Sequence, residues 1–434
     1  MDLNVCLLND SFPPLIDGVS NTVINYAGII HKQLGHCTVV TPHYPKVADD
    51  YIFPVLRYPS INTAKATSGY RTGYPFGTKT LTTLEQKHFD ILHSHCPFAS
   101  GMLARTLRER VESPYIFTYH TKFDVEISKV FDSESMQRFA TRLMINNISA
   151  ADEIWVVSRG AGDNLRSMGF TGDTVVMENG VDMPAQRVSD RRITALREEL
   201  GIPAGLPIFL FVGRCFWYKG FRISLSALSQ LQKCGKDFRF IVVGDGLDRE
   251  EIEGYAKELG LAEQCIFTGS VYDREKLRAF FGLADLFLFP STYDTNGLVV
   301  REAAANGLAS VMIDRSCASE GITDGRNGLL IRENTPALAE KLVWACDHVD
   351  TLHTIGRCAQ EEIYISWQDA VEKAYHRYEY LKEQMERGNL PRKEIRGNAF
   401  FELVADWNAT MSKLQSMPRS VLDKTNSLYS KFKK

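Results

Sequence analysis

The feature that most constrains this chain is an alternation of short apolar runs with longer stretches of helical period, maintained along most of its length. NVCLL, CTVVTP, DILHSH, YIFTYH, EIWVVS and VVMEN are the runs up to residue 180. Between the first two, Val19, Val23, Tyr26, Ala27, Ile30 and Leu34 recur at helical spacing, which predicts a helix over 19–34. Strand, helix and strand at this spacing call for right-handed crossovers and hence a parallel sheet. A polar stretch with three prolines, NGVDMPAQRVSDRRITALREELGIPAGLP, reads as a linker and entry helix. The pattern then restarts with IFLFVGR, FRFIVVGDG, CIFTGS, LFLFPS, ASVMI and GLLI. The expected class is therefore α/β, with two Rossmann-like parallel-sheet domains at 1–185 and 186–364. Open α/β sheets bind ligands outside the carboxyl ends of their strands, so two such domains in tandem are expected to face each other across a cleft. A helix over 365–381 crosses back onto the first domain, and 382–434 forms a helical extension.

At 434 residues the chain exceeds one ordinary core. With 44% hydrophobic and 24% charged residues it has the composition of a soluble globular protein. A net charge of −3 gives no sign of a nucleic-acid partner. The nine cysteines are scattered, odd in number and without a C-x-x-C pair, so neither a disulfide framework nor a zinc site is expected. MDLNVCLLND lacks the basic flank and length of a signal peptide and reads as a first strand. No apolar stretch approaches the roughly 20 residues that span a bilayer. These features predict a cytoplasmic protein. From Lys382 on there are eleven Lys or Arg against six Asp or Glu, interleaved with Phe400, Phe401, Leu403, Val404, Trp407, Met411 and Leu414. This tail reads either as a solvated charged helix or as a surface for anionic lipid, the second placing the protein on the inner face of the membrane.

The segment LFLFPSTYDTNGLVVREAAANGLASVMI carries the chemistry. A buried strand ends at Pro290, a polar loop holds Asp294, Thr295, Asn296 and Gly297, and a helix from Leu298 carries Glu302. Gly297 at a helix start lets a phosphate approach backbone N–H groups, and the helix dipole favours its charge. Asp294 and Glu302 are acceptor-only carboxylates suited to sugar and ribose hydroxyls. The plain alternative is a strand–loop–helix with a capping aspartate. In FVGRCFWYKGF, Gly213 closes a strand and Arg214 and Lys219 follow, cations of the kind a departing diphosphate needs. Gly244, in VGDG, turns the chain after the next strand, as strand ends often require. In the first domain Gly18 lies between strand and helix, with Asn21 and Thr22 in the first helical turn. His93 and His95 end one strand and His120 another; strand-end histidines are often structural, yet here two neighbouring strands share them. No H-E-x-x-H or comparable spacing is present, so no metal is expected.

These motifs together resemble the group 1 (family 4) retaining glycosyltransferases. The resemblance covers about 1–380 and is strongest over 208–332. It implies a GT-B fold and transfer of a hexose from a nucleoside-diphosphate sugar, a UDP-sugar favoured, to an acceptor hydroxyl, with no cofactor and no metal. Residue by residue it implies that Asp294 contacts the donor sugar, that Asn296, Gly297 and Leu298 contact the diphosphate, and that Glu302 contacts the ribose. Arg214 and Lys219 hold the phosphates, Gly213 and Gly244 wall the donor pocket, and Gly18 faces the diphosphate. His120 contacts the transferred sugar, with His95 and then His93 on the acceptor side. The chain departs from the family at Asp294, where glutamate is usual. The style of the Tyr-His-Thr and proline-rich loops is similar to members that glycosylate diacylglycerol lipids. A polysaccharide acceptor, or a non-catalytic sugar-nucleotide-binding protein of the same fold, are the alternative readings.

Overall fold

A computed structural model describes residues 2–15, 17–63, 70–131 and 133–390. The basic stretch of the tail beyond 390 lies outside them. The chain divides into two compact units. The first is Met1–Asn179 together with the chain from Trp367 on, and the second is Gly180–Ser366. The sequence placed these divisions at 185 and 364. Val181 already belongs to the second unit, because its N–H donates to the carbonyl of Ile365 at 3.0 Å and it bridges to Ser366.

The first unit holds strands β1 (Asn4–Leu8), β2 (His36–Pro42), β3 (Val55–Tyr58), β6 (Ile91–Ser94), β7 (Tyr115–Tyr119), β8 (Glu153–Val156) and β9 (Val175–Val176), with a small pair β4 (Ser60–Ile61) and β5 (Thr72–Gly73) beside them. The seven-stranded sheet runs β3-β2-β1-β6-β7-β8-β9 and is parallel throughout. β1, β2, β6 and β7 are buried along nearly their whole length, as the unbroken apolar runs require for a sheet covered on both faces. The expected helix over 19–34 is present as an α-helix, Gly18–Ile29, that relaxes into a π-turn over Ile30–Leu34.

The helix Trp367–Glu386 belongs to this unit. Its buried residues Trp367, Ala370, Val371, Ala374, Tyr375, Tyr378 and Leu381 form one stripe at helical period. The Tyr375 hydroxyl accepts the N–H of Leu3 at 2.8 Å, fixing the start of β1. Tyr378, fully buried, stacks on Trp155 of β8 with centroids 5.3 Å apart, and its hydroxyl meets His93 Nδ1 at 2.6 Å.

The second unit has a six-stranded parallel sheet of β10 (Ile208–Val212), β11 (Arg239–Val243), β12 (Cys265–Gly269), β13 (Leu286–Phe289), β14 (Ser310–Ile313) and β15 (Leu329–Ile331). Its order is β12-β11-β10-β13-β14-β15. Separate apolar clusters cover the two faces, one around Phe209, Phe240 and Leu288 and the other around Leu210, Ile241 and Phe287. The order reverses between β10 and β13.

Tyr378→Phe keeps the ring and its stacking but strands a buried imidazole nitrogen. It is expected to cost about 1–3 kcal/mol in urea denaturation. An unchanged midpoint would show that the hydroxyl does not tie the helix to the sheet.

Candidate active site

The second unit's motifs follow β10 and β13, between which its order reverses, and the neighbouring β11, at the place where open α/β sheets bind ligands. After β10, Gly213 (φ 145°) donates its N–H to Val243 at 3.0 Å. After β11, Gly244 (φ 143°) passes so close that a Cβ there would stand 1.9 Å from the Gly213 carbonyl oxygen. The two loops meet backbone to backbone, which is why position 244 is glycine; at 213 a Cβ would meet only the Phe211 ring at 3.6 Å, and it is the φ of 145° that favours glycine. A similar contact joins β10 to β13: a Cβ on Gly220 (φ 85°) would stand 2.1 Å from the Pro290 carbonyl oxygen. That approach sets the preceding Lys219 beside the loop that follows β13.

There Lys219 Nζ lies 2.5 Å from Asp294 Oδ1. The other carboxylate oxygen, Oδ2, accepts the Ser291 hydroxyl at 2.8 Å, and Ser291 is itself buried. The rings of Tyr218 and Phe289 each have their centroid 5.7 Å from the ammonium. Arg214 is exposed, its guanidinium 5.3 Å from the centre of the Phe216 ring.

The helix Leu298–Ala305 starts at Gly297 (φ 60°), and no side chain caps it. A Cβ on Gly297 would stand 2.7 Å from that of Ala318, so this turn too is held by a close approach. Asn296 is buried, with its Nδ2 donor unpartnered. Amide donors, an aligned helix dipole and an unused carboxamide N–H make a site for an anion. Further along the same helix, burial pushes the Glu302 carboxyl up to about 7, with Arg274 opposing the shift and Asp182 adding to it.

In the first unit His95 and His120 follow β6 and β7. His95 Nδ1 and His120 Nε2 are 2.9 Å apart, one ring donating to the other. His95 Nε2 is buried without a partner. Burial lowers His120 to about 3 and holds His95 well below its ordinary value, so both rings are neutral at pH 7. His93 differs: its Nε2 meets Thr118 Oγ1 at 2.7 Å and its Nδ1 meets Tyr378, so both nitrogens are engaged in seating the helix Trp367–Glu386. At Gly18, the helix start is occupied by Asp17, whose carboxylate accepts the Ser20 N–H at 2.7 Å and also the hydroxyls of Ser11 and Tyr70. A carboxylate therefore sits at the turn expected to face a diphosphate.

Gly213, Arg214, Lys219, Gly244, Asp294, Asn296, Gly297, Leu298 and Glu302 all lie at the carboxyl edge of one sheet or in the helix that begins there. Gly18, His95 and His120 lie at the corresponding edge of the other unit's sheet. Three further residues escaped the sequence reading. Ser291 was hidden as one hydroxyl in a polar loop; Gly220 was visible beside Lys219, but its backbone contact was not. Asp17, one residue before Gly18, carries the ordinary signal of a helix cap.

Two substitutions test this geometry. Gly235 (φ 75°) has open space around it and serves as the control for Gly220. Gly235→Ala should cost about 1 kcal/mol and Gly220→Ala about 3 kcal/mol in urea denaturation. Equal costs would show that the approach to Pro290 does not constrain the turn. Glu302 holds its proton in the folded state up to about pH 7, whereas the unfolded chain releases it near 4.5. Its contribution to stability is full below pH 4.5 and is lost as pH rises through 7, by up to about 3 kcal/mol. Glu302→Gln should remove that fall, so that the variant gains on the wild type between pH 5 and 8. Parallel stability curves would refute the shift.

Residues 192–361 match the model of the glycosyl transferases group 1, and residues 16–183 match that of Glycosyltransferase Family 4. Among curated relatives, the alpha-monoglucosyldiacylglycerol synthase of Streptococcus pneumoniae is 24% identical over 76% of this chain and 75% of its own length. The enzyme of the same name from Acholeplasma laidlawii is 23% identical over 82% of this chain and 92% of its own. Among solved structures, Anabaena HepE in complex with UDP superposes with a TM-score of 0.65 at 20% identity, covering 89% of this chain and 99% of that one. With two parallel Rossmann-like sheets and both family domains present, the chain belongs to the group 1, family 4-like glycosyltransferases of the GT-B fold.

Proposed function

We propose that this enzyme is a retaining hexosyltransferase that takes a hexose from a UDP-sugar and places it on a hydroxyl of a membrane lipid such as diacylglycerol. The observation that carries the reading is the grouping, where the second sheet reverses its order, of Arg214, Lys219 and an uncapped helix start with the unused donor of Asn296. Such a set suits a diphosphate leaving group. As the bond from the anomeric carbon to the phosphate oxygen breaks, negative charge grows on that oxygen and the two cations stabilise it. The same oxygen takes the proton of the acceptor hydroxyl on the face it has just left, so configuration is retained. The acid and nucleophile carboxylates of a glycosidase are not needed. Asp294 and Glu302 then act as hydrogen-bond acceptors for sugar and ribose. Gly213 and Gly244 let the backbone approach the nucleotide. Neutral His120 bonds the transferred sugar, with His95 beside it. The scheme needs neither cofactor nor metal.

The names of the curated relatives support glucose and a diacylglycerol lipid. The complex of HepE with UDP supports the nucleotide. The basic, aromatic-bearing tail supports attachment at an anionic membrane surface. Among the described residues no helix is long and apolar enough to cross a membrane.

The test is release of free nucleotide from UDP-, GDP- and ADP-sugars, with and without liposomes containing diacylglycerol. The expected result is turnover of a UDP-hexose, raised by the lipid, undiminished by EDTA and lowered about 100-fold or more by Arg214→Ala. Turnover indifferent to lipid would overturn the lipid acceptor in favour of a polysaccharide or soluble one. No turnover of any donor would overturn the reading altogether.

A further inference from the structure

Asp294 is tied on both oxygens: Oδ1 to the Lys219 ammonium at 2.5 Å and Oδ2 to the buried Ser291 hydroxyl at 2.8 Å. The ion pair is largely withdrawn from solvent, the lysine side chain being 12% exposed and the aspartate 21%. In such surroundings a charge-assisted contact is stronger than a surface pair, and breaking it carries a corresponding cost. The backbone contact of Gly220 with Pro290 fixes the turn that carries Lys219, and the hydrogen bond from Ser291 holds Asp294. The cation expected to meet a diphosphate is thus already neutralised by an internal anion.

Resting on the donor reading above, we propose that Asp294 is an internal competitor for the diphosphate, and that this competition makes the site prefer the sugar-bearing donor over the nucleoside-diphosphate product. A diphosphate that engages Lys219 displaces the carboxylate. With a complete donor, a hydroxyl of the transferred sugar donates to the freed carboxylate and restores what the lysine gave it. With the product, the sugar is gone, the carboxylate is left beside the diphosphate without that partner, and the ion pair re-forms as the nucleotide leaves. Asp294 in this role sets the order of affinities through Lys219, in addition to any contact it makes with sugar.

The experiment measures equilibrium binding and dissociation rates of UDP and of UDP-glucose to the full chain. The proteins are the wild type, Asp294→Asn, Asp294→Glu, Lys219→Ala and the double variant Lys219→Ala/Asp294→Asn. Asp294→Asn is expected to bind UDP about tenfold tighter and release it about tenfold more slowly, while UDP-glucose gains little. Asp294→Glu, which keeps the charge, should stay within about threefold of the wild type for UDP. In the Lys219→Ala background, Asp294→Asn should change UDP affinity by less than about twofold, because there is no ammonium left to free. An unchanged UDP affinity in Asp294→Asn would overturn the proposal and leave Asp294 as a sugar contact only. Equal tightening with and without Lys219 would overturn it in favour of general charge repulsion. Failure of the wild type to bind UDP, GDP or ADP would instead overturn the donor reading on which the proposal rests.

Discussion

The site in the second unit depends on backbone meeting backbone where side chains would ordinarily intervene. Gly244 lies against the Gly213 carbonyl and Gly220 against that of Pro290, while Gly297 lies against the methyl of Ala318, each with less room than one methyl group needs. These approaches draw the loops after β10, β11, β13 and β14 into one surface at the carboxyl edge of the sheet. The functional side chains are then placed as a by-product. Lys219 precedes one of the glycines, Arg214 follows another, and Asn296 and Leu298 flank a third. A rigid backbone frame of this kind holds charged groups in place without asking the charges to find each other.

The first unit solves a different problem, the burial of polar aromatic groups at a sheet edge. His93 and His95 are separated by one residue and point to one face, with ring centroids 4.0 Å apart, yet they receive opposite treatment. His93 is fully satisfied by Thr118 and by the hydroxyl of Tyr378. His95 shares one nitrogen with His120 and leaves the other unpartnered. Desolvation keeps all three rings uncharged, which is the form able both to give and to accept a hydrogen bond at neutral pH.

Much of this was legible in the sequence, because buried parallel strands write themselves as apolar runs. All six strands of the second sheet coincide with runs such as IFLFV and LFLF. The strand VLRY was not seen: it lies between Pro54 and Pro59, and Arg57 interrupts its apolar pattern. That arginine is employed elsewhere, in an ion pair with Asp49 and a hydrogen bond to the Pro13 carbonyl. The residues gathered at the carboxyl edge of the second sheet were readable because glycines and cations in a fixed order leave a trace in the chain. The ion pair of Lys219 with Asp294 joins positions 75 apart in sequence and leaves none. Nor could spacing tell His93 from His95, since the difference lies in Tyr378, 285 positions away from His93.

The route of the chain also bears on the order in which the molecule can be completed. The second unit begins at Gly180 and ends at Ser366, and its two ends are fastened together by the pairing of Val181 with Ile365 and Ser366. It is in effect an insertion, entered and left at one seam. All six strands of its sheet and both sides of its seam are present once residue 366 has been synthesised. The first unit, although made first, must wait: the buried rings of Tyr26, His93 and Trp155 lack the ring contacts of Trp367 and Tyr378 until the helix from Trp367 emerges. Emergence from the ribosome thus runs against the usual rule that the amino-terminal domain is finished first. For that interval the nascent amino-terminal sheet carries an open aromatic face, and the helix Trp367–Glu386 is the one that closes it.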